Sequence, residues 1–235
     1  MAYPTVSAPY GLKPINLIGG QVFAGQTRQY QINPAGFAGN IFYGDVVKIV
    51  STGYIEKDSG EATATPVGIF QGCSYVNAQG QVIFAQYYPT GYAAPTGTVI
   101  TAYVSDDPDQ LFKAVLVAGQ TEGGNGLTPT YLGRTVIGTN AELVQNAGLT
   151  ATGDSRVGIY TAAGATTTAS LPIRIIDVVP DTANSSGEFV EVICKFNAPY
   201  VVSVSTTTEP TPGTFTTTTT STVTGGHQYL NPVGV

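Results

Sequence analysis

Ala8-Pro9-Tyr10-Gly11-Leu12-Lys13-Pro14-Ile15, Gly25-Gln26-Thr27-Arg28-Gln29-Tyr30-Gln31-Ile32 and Ile41-Phe42-Tyr43-Gly44-Asp45-Val46-Val47 decide the fold class. Apolar and polar residues mix over short runs, and Gly, Pro and Asn break them every few positions. None of the runs carries a cap followed by the three-and-four spacing that starts a helix. Such segments are extended, and they lead into a β-domain. The N-terminus has no basic stretch followed by a long apolar one, so no secretory signal is expected.

Working outward, residues 41–104 give the clearest strand signals. Val46 to Val50 is a strand ended by Ser51-Thr52-Gly53, with Tyr54-Ile55-Glu56-Lys57 following at hairpin distance. Asp58-Ser59-Gly60 is turn chemistry. Pro66 to Gly72 reads as a buried strand with glycine at its corner. Ser74-Tyr75-Val76 and Gln81 to Tyr88, joined by Asn77-Ala78-Gln79-Gly80, form a hairpin with a four-residue loop. Val99 to Val104 is a further strand. Turn signals about every ten residues suit a sandwich or barrel.

The pattern continues through 105–202 with longer loops, of which Gly119 to Gly126 is one. Leu111 to Val117 is apolar, and Ser170 to Val179 is a strand with Pro172 at its start. Glu188 to Phe196 alternates strictly, Glu and Lys outward and Phe, Val, Ile or Cys inward. One short helix is expected where Thr139-Asn140-Ala141-Glu142 has the capping-box form and Gly148 can stop it. Residues 203–235 are dominated by Thr, with Pro210, Pro212 and Gly213 between the runs. Alone this segment is too polar to bury a core and should be disordered. A neighbouring chain would order it, with Thr216 to Val223 added as a strand to that neighbour's sheet edge.

The expected architecture is all-β: an antiparallel sandwich or jelly-roll-like barrel with extended N- and C-terminal arms and at most one short helix. Its parts are an N-terminal arm over 1–40, a β-domain over 41–202 that divides, if at all, near 105, and a C-terminal arm over 203–235.

Only 10% of the residues are charged, against about 25% in ordinary soluble domains. Thr, Ser, Gln, Asn, Gly and Tyr must therefore cover the surface, which is inexpensive to desolvate against a neighbour. The net charge is −6, and the nine basic residues are scattered singly. No cluster exists to neutralise phosphates, so nucleic acid is not an expected partner. No apolar run approaches the ~20 residues of a membrane span.

No constellation points to catalysis or to a cofactor. Asp106-Asp107-Pro108-Asp109 is the densest carboxylate cluster and could hold Ca²⁺. A turn or helix start explains it better, because the remaining calcium-loop spacing is absent. His227, the only histidine, lies in the low-complexity tail without a nucleophile elbow, so a Ser-His-Asp triad is not expected. The glycine-rich stretches lack the Gly-Lys-Ser/Thr ending of a phosphate loop. Cys73 and Cys194 sit in apolar surroundings and read as small reduced core residues rather than a disulfide or metal site. The 14 tyrosines suit an interface, each with an apolar body and a polar tip. They also suit sugar stacking, which the absence of Trp weakens.

In order and wording, several motifs together resemble the capsid decoration (cement) proteins of tailed phages. They are Ala8 to Pro14, Gly25-Gln26-Thr27 before Tyr30, Ile41-Phe42-x-Gly44-Asp45-Val46-Val47, Pro66-Val67-Gly68-Ile69-Phe70-x-Gly72, Asp106-Asp107-Pro108 before Phe112, and Leu171-x-Ile173-Arg174-Ile175 to Phe196-Asn197. The Thr-rich tail beyond Val204 has no counterpart in that resemblance. It implies a non-enzymatic virion protein on the outer capsid surface, assembled as a homotrimer and bound to the major capsid protein. Binding only the expanded shell would stabilise that state by mass action. A tail, fibre or head-knob protein that attaches to the host surface is the alternative, and a secreted bacterial β-domain a lesser one.

Overall fold

The computed structural model describes residues 6–118, 130, 133–160, 169–182, 189–198, 200–211, 214–224 and 226–230, with 200–211 and 214–224 described by their backbone. The strands in chain order are β1 (Lys13–Leu17), β2 (Arg28–Ile32), β3 (Val46–Ile49), β4 (Ile55–Lys57), β5 (Gly68–Val76), β6 (Val82–Ala85), β7 (Ile100–Ser105), β8 (Gln110–Val115), β9 (Asn140–Val144), β10 (Gly158–Tyr160), β11 (Ile173–Val178), β12 (Glu191–Phe196), β13 (Tyr200–Thr211) and β14 (Thr214–Thr224). Every pairing between them is antiparallel. The first sheet runs β1-β8-β12-β11-β9-β10, the second runs β2-β7-β5-β3-β4 with β6 also on β5, and β13-β14 form a ribbon of their own. The fold is thus an all-β sandwich rather than a closed barrel.

Period-two alternation creates the core. Phe112, Ala114, Leu143, Ile173, Ile175, Val192, Cys194 and Phe196 from the first sheet meet Val46 and Ile69 from the second, all fully or almost fully buried. Phe70, Val47, Ile55, Ile100, Ala102 and Val104 point to the opposite face of the second sheet, where Ile41 and Tyr88 cover them. Burial of this order supplies about 25 cal/mol per Å² of apolar surface, the main stabilising contribution.

The chain changes sheets between β7 and β8. Both sheets share one core across this crossover. Residues within the expected N-terminal arm are built into the sandwich. β1 pairs with β8 as the edge of one sheet, and β2 pairs with β7 as the edge of the other. Pro14 lies inside β1, which is tolerated because edge strands have one unpaired side. Val22 contributes an isolated bridge to Asn16.

The expected helix at Thr139 is a correction: residues 140–144 are β9, and the described residues contain only short 3-10 turns. Ala141 and Leu143 alternate into the core, and Ala141 pairs with Ile173 of β11. The Thr139 hydroxyl donates back to the Val136 carbonyl at 2.7 Å, closing the preceding turn instead of capping a helix. Tertiary pairing overrides the local cap signal.

The Thr-rich segment is a hairpin within one chain, β13 against β14, so Thr216 to Val223 is not a lone strand. The chain then returns to the core. The Gln228 amide donates to the Pro66 carbonyl at 2.7 Å. The Gln228 side chain accepts from Ile49 N at 2.6 Å and donates to Ile49 O at 2.9 Å. It completes β3 where Pro66 interrupts the neighbouring strand.

Candidate interaction surface

The expected carboxylate cluster lies on the β7–β8 crossover, and each member already has a role. Asp106 accepts from Tyr30 Oη at 2.6 Å and pairs with Arg28 at 3.0 Å. Asp107 accepts from the Asp109 amide at 2.8 Å, closing a turn, and Asp109 lies 3.6 Å from Lys195. Among the described residues no group of three His, Cys, Asp or Glu could hold a metal.

His227 is fully buried rather than part of a solvated tail. Its amide donates to the Asn197 carbonyl at 2.9 Å, and its ring packs between Phe196 and Tyr229. Nδ1 accepts from the Tyr229 amide at 3.3 Å, while Nε2 has no hydrogen-bond partner among the described residues. Burial pushes the imidazole down to about 4, against the opposing pull of Asp106 and Asp107. The ring is a structural wedge at the base of the ribbon. Nothing in the sequence around Gly225-Gly226-His227 signals this burial, because its partners come from β12 and the crossover.

Cys73 and Cys194 are free and buried, and desolvation raises both thiols, Cys73 to about 12. Neither is a reactive thiolate at neutral pH. Tyr10 lies over the outer face of the first sheet, donating to Glu191 at 2.5 Å with the Lys13 ammonium 4.3 Å from its ring centre. Burial raises its phenol above the ordinary value, so it acts as a fixed donor. Val6, Tyr10 and Tyr160 pack over Val115, Val117 and Val144 on that face, while Arg174 and Asp177 of β11 stay exposed on it.

The second sheet is covered differently. On the side that faces the first sheet, Val46 and Ile69 are buried, and Ser105 at the crossover is buried with them. Farther along the same side, alternation presents Thr101 and Tyr103 of β7, and their register partners Gln31 and Gln29 of β2. Ser74 of β5 pairs with Thr101 and with Phe84 of β6. This end lies beyond the cover of the first sheet. Phe84 is 75% exposed and Val82 61% exposed. Ser74 Oγ and Tyr103 Oη hydrogen-bond at 3.1 Å. A shallow hollow of about 450 Å³ opens there, lined by Tyr43, Gln71, Gly72, Cys73, Phe84, Ala85, Gln86 and Tyr103. None of these residues is charged, and Gln71 Nε2 has no hydrogen-bond partner among the described residues.

The hollow is made by a bulge. The β5–β7 register shifts between Phe70 and Cys73, and Gly72 sits there at φ +127°. The bulge divides the other edge of β5 between β3 and β6. Bulges re-aim side chains and often lie beside functional surfaces. The sequence marks Gly72 as a corner, but which side of the sheet stays open depends on how far the first sheet reaches. The lining offers rings, amides and hydroxyls, and the one carboxylate at its rim, Asp154, accepts from Gln86 Nε2 at 2.9 Å. It is suited to binding a broad, uncharged or weakly polar surface, and no group in it is poised for bond cleavage.

Compared with known proteins, the chain matches no family model, no curated protein and no solved structure.

Proposed function

We propose that this is a structural virion protein that binds the outer surface of a tailed-phage capsid shell, through the open end of the second sheet, and cements it. The observation that carries the reading is an uncharged hollow at the open end of the second sheet, beside which Phe84 and Val82 are largely exposed, whereas the exposed residues on the first sheet's outer face include the charged Arg174 and Asp177. The motif resemblance supplies the shell as partner and the homotrimer as the working form. Three weak contacts per trimer would act together through avidity. Contacts made only with the expanded shell would stabilise it by mass action.

A second reading rests on the same hollow. Rings and amides around a shallow depression also suit stacking on sugars, which favours a tail, fibre or head-knob protein attaching to the host surface. Copy number per virion, measured by quantitative mass spectrometry against the major capsid protein, separates the two. A ratio near one to one supports a cement protein tiling the shell. A ratio of a few per cent overturns it in favour of the attachment reading.

A further inference from the structure

The segment that leaves the core after Asn197 and returns at His227 is a two-stranded ribbon on a fixed mount. Its base is closed by the His227 amide donating to Asn197 O at 2.9 Å, and Asn197 is itself held to Pro172 O at 2.8 Å. From Tyr200↔Thr224 to Thr211↔Thr214 the two strands pair only with each other, and no third strand joins them among the described residues. A lone two-stranded ribbon is marginal in water, and three or more strands are needed for stability of its own. The 11 residues of β14 span roughly 36 Å.

The two outer edges differ in chemistry. β13 carries Glu209 and Pro210 near the tip, the charge and the imino acid that blunt an edge. β14 reads Thr-Phe-Thr-Thr-Thr-Thr-Thr-Ser-Thr-Val-Thr, with no charge, Pro or Gly. Its outer edge is an undefended template for another strand. Its order is also symmetric about Thr219: apolar Phe215 and Val223 stand second from each end, and hydroxyl residues fill every other place.

We propose that β14 pairs antiparallel with β14 of a second copy of this chain, across a two-fold axis at Thr219, joining two ribbons into one four-stranded sheet. A strand paired antiparallel with itself is the isologous contact that a two-fold axis generates. In the register centred on Thr219, Phe215 stands opposite Val223 of the second copy, and every other rung sets Thr or Ser against Thr or Ser. Cross-strand pairs of these kinds stabilise sheets. Charge favours this site as well. Two chains of net charge −6 repel, and the uncharged strand is where they meet at least cost, since screening removes most repulsion beyond ~8 Å. The contact does not depend on where the protein works and is separate from the trimer of the proposed function: each chain offers one β14 edge, so the contact joins chains two by two, within free dimers or between two trimers.

The test is a cysteine at the axis of the full-length chain, against a background of two buried native thiols. Thr219→Cys faces its own copy at the ~4.5–5.5 Å spacing of opposed residues, within disulfide reach. Thr216→Cys lies six rungs from its own copy, roughly 20 Å away, and cannot bridge. Mild oxidation is expected to give a disulfide-linked dimer for Thr219→Cys and none for Thr216→Cys. Thr219→Lys, which sets two ammonium groups together on the axis, is expected to weaken association at least tenfold by sedimentation equilibrium. Cross-linking at neither position, or equally at both, overturns the proposal. So does an unchanged number of copies per particle in Thr219→Lys.

Discussion

A Cβ built on Gly11 would stand 2.4 Å from the carbonyl oxygen of Gly44. Both residues have positive φ, +78° and +90°. The contact joins two stretches that stand over thirty residues apart in sequence. Leu12 N donates to Gly44 O at 3.0 Å, Gly11 N to Val157 O at 3.1 Å, and Gly44 N to Phe70 O at 2.9 Å. One backbone crossing thereby ties the entry to β1 in the first sheet to the entry to β3 in the second.

Gly11→Ala should therefore be among the most destabilising single changes in the chain. It adds a methyl where backbone occupies the space and forces an L-residue into the left-handed region. The expected loss is about 3 kcal/mol or more. Gly53→Ala is the comparison, since its φ is +82° but nothing lies within 4 Å of its Cβ. It should lose only about 1 kcal/mol. Urea midpoints measure both, and equal losses would show that the Gly11–Gly44 approach contributes nothing of its own.

Much of the β framework was legible from alternation or from short apolar runs. Arg28–Ile32 and the β12 strand carry period two, which a half-buried sheet imposes, whereas Val46–Ile49 and the start of β5 are short apolar runs buried on both faces and bounded by turn residues. What could not be read is what depends on partners distant in sequence. Pro14 hides β1, whose existence rests on β8. The Thr139–Glu142 cap signal is genuine locally but loses to pairing with β11. His227 looks solvated in its Gly-rich surroundings, and only Phe196 and the β7–β8 crossover bury it. Tyrosine content did not point to the candidate surface: only Tyr43 and Tyr103 line it, while Tyr10 is bonded to Glu191, Tyr30 to Asp106, and Tyr88 is buried. The location of that surface was not legible, because the open end is defined by where the first sheet stops.

Asp45 should behave as a buried hub. It is fully buried and accepts from Phe42 N at 2.9 Å and Ser155 Oγ at 2.6 Å, with Lys57 Nζ at 3.0 Å. Asp45→Asn leaves Lys57 without its counter-charge in a largely desolvated place, at an expected loss of about 3 kcal/mol. Ser155→Ala removes one neutral donor to a charged acceptor and should lose about 2 kcal/mol. Adding Lys57→Met to Asp45→Asn should recover part of the loss. Denaturant unfolding of the three variants checks this, and a double variant weaker than Asp45→Asn alone would argue that the ammonium is not the stranded group.

Stability should fall in acid through His227. Its folded value of about 4 lies below the ordinary 6.5, so the unfolded chain binds a proton that the folded chain refuses. The contribution is fully present above pH 6.5 and is lost as pH falls from 6.5 toward 4, at roughly 1.4 kcal/mol per pH unit. His227→Leu keeps the packing against Phe196 and Tyr229 and removes the titration. The difference between wild type and His227→Leu should therefore change with this slope between pH 6.5 and 4, and stay flat from 6.5 to 8. Parallel pH profiles for the two proteins would rule out His227 as the acid-sensitive group.

Phe84 should separate binding from stability. It is 75% exposed on a strand that, among the described residues, pairs only with β5, so Phe84→Asp removes little folded-state packing and should change stability by no more than about 0.5 kcal/mol. On the proposed function the same change sets a charge into an uncharged docking face. Losing one buried aromatic contact is worth about 2 kcal/mol or more per site, and the loss multiplies when several copies bind together. Shells lacking the protein, incubated with wild type or Phe84→Asp and sedimented, give the readout. Occupancy should fall at least thirtyfold at limiting protein while the unfolding midpoint is retained. Asp substituted for Thr52, exposed in the β3–β4 turn away from the open face, is the control and should bind as wild type does. Full occupancy by Phe84→Asp would remove the open end of the second sheet as the docking face, whatever the copy number proves to be.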